Sequence, residues 1–203
     1  FHHSMKANGA FFTETQGWER PGWFAPKGVA PEIKYSFGRQ NWFDYAQAEQ
    51  KAARNDVAMV DYSMLGKLMV EGPDAEAFLQ RICTNNLAIP IGRVAYTLML
   101  NDRGGIESDV TVARHGDHSF MVMSSISHTR RDYLYLRDNL GNGEDVRLRD
   151  VTTSYVNRRA IRDLIRGVNG GHCVCCFAAL WRVCLSYSER VPKRMLAARP
   201  ALF

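Results

Sequence analysis

The sequence predicts an α+β domain, a largely antiparallel sheet with flanking helices, and three observations carry that prediction. The first is Met99-Leu100-Asn101-Asp102-Arg103-Gly104-Gly105-Ile106-Glu107-Ser108-Asp109-Val110-Thr111-Val112, which reads as strand, tight turn, strand. Residues 94–100 are rich in β-formers and residues 109–113 alternate. Between them Asn-Asp-Arg-Gly-Gly is hairpin chemistry: Asn and Asp tolerate turn geometry, and Gly supplies positive φ. The second is the order of elements: helix, β, β, helix, β, β, β, helix, β. Hairpin-type neighbours with interspersed helices argue for an antiparallel sheet, and the regular βα alternation of a doubly wound fold is missing. The third is composition. At 203 residues, 46% hydrophobic and 23% charged, the chain is globular and long enough for one good core or one and a half.

Each element has a local reason. Residues 1–40 show little periodicity. They hold Gly17-Trp18-Glu19-Arg20-Pro21-Gly22-Trp23-Phe24-Ala25-Pro26, aromatics punctuated by Pro and Gly, and read as an extended arm that lays rings on another surface. Asn41-Trp42-Phe43-Asp44 introduces a helix, with Asp44 as N-cap and Gln47 completing a box-like pattern. Residues 45–55 are Ala-rich helix formers. Residues 57–61 read as a short strand and 65–71 as an alternating one. Gly72-Pro73-Asp74 stops that strand and starts a helix whose apolar stripe is Ala77, Phe78 and Ile82, ended by Thr84-Asn85-Asn86. Pro90-Ile91-Gly92 turns the chain into the central hairpin. Residues 118–124 form a strand, 127–140 an amphipathic helix and 146–151 a last strand. After Tyr155 local propensity and pattern stop agreeing. Residues 156–203 read as an atypical basic tail, the mark of a frameshift or read-through.

Charge and cysteine divide at the same place. The net charge is +5, but residues 156–203 carry nine Lys/Arg against two Asp/Glu, while the first 155 residues carry 17 against 19. Basicity belongs to the tail, so a nucleic-acid partner for the body loses its support. Cys83 is the body's one cysteine; Cys173, Cys175, Cys176 and Cys184 lie in the tail. Cys173-x-x-Cys176 lacks the second ligand pair that a structural zinc site needs, so no metal site is expected. No apolar run approaches the roughly 20 residues needed to span a bilayer, and residues 1–9 lack the apolar core of a signal peptide. A membrane partner is therefore not expected. The chain begins with Phe, which reads as a piece of something longer.

Two carboxylates open the second strand of the central hairpin. Glu107 and Asp109 stand at i and i+2, so regular alternation would point them to one face. On spacing alone they are solvated surface acids.

Their neighbourhood changes that reading. Asp61-Tyr62-Ser63-Met64-Leu65-Gly66-Lys67-Leu68, Glu71-Gly72-Pro73-Asp74-Ala75, Phe78-Leu79-Gln80-Arg81 with Thr84-Asn85-Asn86, and Tyr96 to Asp109 resemble the folate-binding domain of the glycine-cleavage T-protein (aminomethyltransferase) family, in order and in spacing. Gly17-Trp18-Glu19-Arg20-Pro21 and Asn41-Trp42-Phe43 resemble the junction in dimethylglycine and sarcosine dehydrogenases, where a flavin domain hands over to a folate domain. The match runs from about Phe11 to Tyr155. The Gly-Pro block expected after Asp150-Val151-Thr152-Thr153-Ser154-Tyr155 is absent, so the resemblance implies an incomplete domain over residues 41–155.

The resemblance implies tetrahydrofolate as cofactor, with FAD confined to an upstream flavin domain that this chain lacks. In such relatives the flavin domain oxidises an N-methyl amine, and the carbon released is captured as 5,10-methylenetetrahydrofolate. The T-protein's Gly-Gly turn is followed by an Asp-Asp pair; here the pair is Ser108-Asp109, which places the chemistry on Asp109. A carboxylate beside an amine favours its protonated form and can relay the proton as a carbon is added. Tyr96 and Met99 would wall the pterin, with ordinary core as the alternative for Met99. Ser63 and Met64 would lie in a loop near the folate, and Arg103 would meet a glutamate tail. A cytoplasmic location is expected, or the mitochondrial matrix in a eukaryote. The competing expectations are a non-catalytic relative serving as a regulatory or protein-binding subunit, and an inactive fragment.

Overall fold

The computed structural model describes residues 2–55, 58–155 and 158–161. The Cys173-x-x-Cys176 run and the rest of residues 162–203 of the expected tail lie outside the described residues. The chain divides into two compact units, one holding the residues up to Val60 and the other Asp61–Arg159.

In the first unit, helix α1 (His2–Ala7) precedes the antiparallel hairpin of β1 (Ala10–Thr15) and β2 (Trp18–Phe24), and helix α2 (Phe43–Asn55) follows. The expected extended arm is therefore a hairpin. Its two-residue loop is Gln16-Gly17, both at positive φ (53° and 82°), the backbone of a type I′ turn. Glu14 fastens the turn by accepting the Gly17 N–H. Pro21 disguises β2 because proline breaks a ladder; it is accommodated at a register shift, where Phe11 pairs with Trp23 and Phe12 with Pro21. Trp23 is 2% exposed and stacks on Tyr45 of α2 at 5.6 Å. Helix α2 begins at Phe43, so Asp44 sits in its first turn and pairs with Arg39.

Strand β3 (Ala58–Asp61) leads into the second unit, which is organised by five antiparallel strands in the order β5-β6-β7-β4-β8. They are β4 (Gly66–Glu71), β5 (Val94–Leu100), β6 (Ile106–Gly116), β7 (Ser119–Ser124) and β8 (Arg147–Asp150). Helices α3 (Ala75–Ile82) and α4 (Thr129–Asp138) flank the sheet, and a 3-10 turn spans Thr152–Ser154. The last described element is β9 (Arg158–Ile161).

Alternation gives each strand two faces. Leu68 and Val70 of β4, Met99 of β5, Val110 and Val112 of β6, and Phe120 and Val122 of β7 pack with Ala75, Phe78, Leu79 and Ile82 of α3 and Leu136 of α4. The α3 stripe thus includes Ala75 and Leu79, and Ala77 is exposed. Asp74 stands at the N-cap but its carboxylate accepts the Asp145 N–H at 2.8 Å. A close approach joins sheet to helix at Gly66, where a Cβ would fall 2.2 Å from Thr129 Oγ1.

The opposite face carries a smaller cluster: Met69, Ala113, Met121, Met123 and Val151. It also carries Lys67, which is 1% exposed. Its ammonium donates to the carbonyls of Ser63 (2.7 Å), Leu65 (2.9 Å) and Thr152 (3.3 Å). Burial pushes this group down from 10.5 to about 8, against the opposing pull of Asp61 and Asp150. Between those two values the unfolded chain holds a proton that the folded chain lacks, so this residue makes stability rise with pH there. Below pH 8 the cost of burying the charge is fully present.

Replacing Lys67 with Met will flatten the pH dependence of urea-unfolding free energy between pH 8 and 10.5 relative to wild type. Equal slopes would contradict the buried ammonium. Phe78→Ala, which opens the helix-side core, will cost about 3–5 kcal/mol in the same measurement.

Candidate functional site

The site follows from one row and one diagonal across the sheet. Tyr96 of β5 stands opposite Thr111 of β6, Thr111 opposite Met123 of β7, and Met123 opposite Lys67 of β4. Asp109, two residues from Thr111, stands opposite Leu98 and is the diagonal neighbour of Tyr96. A tyrosine is long enough to cover that diagonal, and its hydroxyl donates to Asp109 Oδ2 at 3.1 Å. Asp109 is exposed and Tyr96 half-buried.

These side chains border a hollow of about 130 Å³ lined by Leu65, Tyr96, Asp109, Val110, Thr111, Met123, Ser124 and Ser125. Its walls are apolar at Leu65 and Met123, hydroxylic at Thr111 and Ser125, and anionic at Asp109, while the Val110 side chain packs in the helix-side core and the Ser124 hydroxyl is given to Asp132. This combination suits a flat, partly apolar ring that offers N–H donors to a carboxylate. The Tyr96 phenol is pushed above its ordinary value, first by burial and then by its hydrogen bond to, and the charge of, Asp109. It therefore stays protonated at neutral pH and keeps donating to the acid.

The other expected site residues fall elsewhere. Met99 is fully buried in the helix-side cluster, because residues three apart on a strand point to opposite faces. Its expectation as a pterin wall is corrected to its core alternative. Ser63 and Met64 precede the lining residue Leu65; the Ser63 carbonyl is held by Lys67, and Met64 is 9% exposed. Arg103 lies in the exposed turn, its N–H donating to Asn101 Oδ1 at 3.0 Å, and it is not among the residues lining the hollow.

Glu107 and Asp109 also part company. The β5–β6 register slips, so that Met99 faces Ser108 and Leu100 faces Ile106, leaving Glu107 unopposed. Such a bulge ends strict alternation. Glu107 accepts from Asn101 Nδ2 at 2.8 Å, while Asp109 accepts from Tyr96. Leu65, Thr111, Met123, Ser124 and Ser125 were not singled out from the sequence. Thr111 alone had a signal there, since it shares the alternation of Asp109.

Comparison with known proteins agrees with this architecture. The family model described as the GCVT N-terminal domain matches residues 1–158. The chain is 37% identical over 153 residues to 4-methylaminobutanoate oxidase (formaldehyde-forming) of Paenarthrobacter nicotinovorans, covering 75% of this chain and 18% of that protein. It is 32% identical over 156 residues to the mitochondrial pyruvate dehydrogenase phosphatase regulatory subunit of Mus musculus, covering 74% and 18%. It is 35% identical over 137 residues to mitochondrial sarcosine dehydrogenase of Homo sapiens, covering 56% and 15%. The chain thus spans less than a fifth of the length of each. Among solved structures, glycine cleavage system aminomethyltransferase T from Bartonella henselae shares the fold, with a TM-score of 0.60, 21% identity, and coverage of 82% of this chain and 41% of that one.

The fold is that of an aminomethyltransferase-type domain. The chain belongs to the GCVT N-terminal domain family, related to sarcosine and dimethylglycine dehydrogenases as well as to aminomethyltransferases. Among the described residues no helix is long and apolar enough to cross a membrane.

Asp109→Asn will bring the Tyr96 titration down toward the ordinary tyrosine value, because the acid's contribution is removed while burial remains. Phenolate difference absorbance, with Tyr96→Phe as reference, reads this. An unchanged titration would contradict the Tyr96–Asp109 contact.

Proposed function

We propose that this domain binds tetrahydrofolate in the hollow on the far face of the sheet and serves one-carbon transfer to it. The observation that carries the proposal is the exposed Asp109 carboxylate, paired with the Tyr96 hydroxyl at the rim of an apolar recess. A reduced pterin has a flat face for Leu65 and Met123, and N–H groups for a carboxylate. The donor set therefore fits the group.

Bound tetrahydrofolate supplies the nucleophilic amine that accepts the carbon. Asp109 holds the ligand's N–H edge and takes or returns a proton at its carboxylate oxygen. Tyr96 keeps Asp109 oriented without adding a positive charge. Leu65 and Met123 exclude water from one side of the ring. Of these residues Asp109 is the proposed catalytic group, and Tyr96 with the lining residues binds. The carbon would come from oxidation of an N-methyl amine in a flavin domain elsewhere in a longer protein. That reading draws on the likeness to the formaldehyde-forming oxidase and to sarcosine dehydrogenase.

A second reading is supported by the likeness to a phosphatase regulatory subunit: the same scaffold used without catalysis. Calorimetric titration of the 203-residue chain with tetrahydrofolate separates the two. Asp109→Ala will weaken binding about tenfold, the loss of one charge-assisted hydrogen bond. A chain without measurable folate affinity would favour the second reading.

A further inference from the structure

Asp109 lies where β6 runs past its pairing with β7. The β6–β7 register ends with Thr111 opposite Met123, and β7 stops at Ser124, while β6 extends back to Ile106. Among the described residues the sheet partner of Asp109 is Leu98 of β5, and none is on β7. Backbone with few neighbours opens at low free energy, yet a binding carboxylate has to be held to a fraction of an ångström.

Behind this point stands Asp132 of α4, 1% exposed. Its Oδ2 accepts the Ser108 hydroxyl at 2.9 Å and also the Ser124 hydroxyl. Its Oδ1 lies 3.3 Å from both Nε and Nη2 of Arg131, whose Nη2 also donates to the Glu107 carbonyl. Ser108 and Ser124 are themselves buried. A buried carboxylate is costly unless its lone pairs are taken up; here hydroxyls occupy one oxygen and a guanidinium the other. Ser108 immediately precedes Asp109 in the chain, and Ser124 lines the hollow beside Ser125.

We propose that Asp132 is a positioning residue for the carboxylate site: through Ser108 and Ser124 it locks the free end of β6 and the end of β7 to α4, and so fixes Asp109 against Tyr96. The site rests on three elements rather than one hairpin. Its link to folate rests on the function proposed above, but the contact it fixes does not.

The test uses Ser108→Ala, the smallest cut in the network, with Asp132→Ala as the larger one. Leu136→Ala, on the same helix in the core, controls for destabilisation alone. The first readout is the Tyr96 phenol titration, which needs no ligand. In folded Ser108→Ala and Asp132→Ala the titration will move toward that of Asp109→Asn, and in Leu136→Ala it will stay at the wild-type position. An unchanged titration in folded Ser108→Ala, or an equal shift in Leu136→Ala, overturns the proposal.

The second readout is tetrahydrofolate affinity in a double-mutant cycle. Ser108→Ala will weaken binding about fivefold in the wild-type background and have no further effect in Asp109→Ala. Equal losses in both backgrounds would mean a general structural effect and would overturn the positioning role. A moved Tyr96 titration with no folate affinity in any variant would leave the positioning role standing and remove the folate reading.

Discussion

Strand β6 has to satisfy two environments at once, and the unit around it depends on that constraint. Ser108, Val110 and Val112 are buried, two of them in the core formed with α3 and α4. Asp109 and Thr111 alternate with them and border the hollow. A strand cannot slip by one residue without exchanging these sets. The exchange would bury the exposed acid among Phe78, Leu79 and Leu136 and turn Val110 and Val112 to the face of the hollow. The register that builds the core is therefore the register that presents Asp109.

The far face is unlike an ordinary core. It combines flexible methionines, Met69, Met121 and Met123, with a buried ammonium. Lys67 ties the carbonyls of Ser63 and Leu65 to that of Thr152, and so sets the segment from which Leu65 reaches the hollow. Methionine adapts its shape to a neighbour, which suits a wall that receives a ring. Of these, Met123 lines the recess itself, which is apolar at Leu65 and Met123 and anionic at Asp109, while Lys67 stands next to Met123 across β4 and β7 with its charge engaged by backbone carbonyls.

Much of the second unit was legible in the sequence. Strand β5 has the bounds 94–100 expected from its β-formers, and the Asn101–Gly105 turn uses Asn101 Oδ1 to accept the N–H groups of Arg103 and Gly105. What was hidden had physical reasons. Pro21 masked strand β2, and the Gln16-Gly17 turn signal sits among residues that read as loop. The bulge at Glu107 depends on register, which composition does not encode. Met99 suits a ligand wall or a core equally by its chemistry, and the face of the strand decides. Lys67 and Asp132 have no signal in spacing, because their roles depend on contacts distant in sequence: the Thr152 carbonyl for Lys67 and the Ser108 hydroxyl for Asp132.

The central claim is that ligand chemistry happens on the face bearing Asp109, opposite the helices. Methyl-carbon labelling of methionine offers the most direct test, since Met123 lines the hollow and Met99 is fully buried on the helix side. On titration with tetrahydrofolate, the Met123 methyl resonance should shift with the same saturation as binding, while the Met99 resonance holds its position. A response at Met99 with none at Met123, or at neither, would contradict the account.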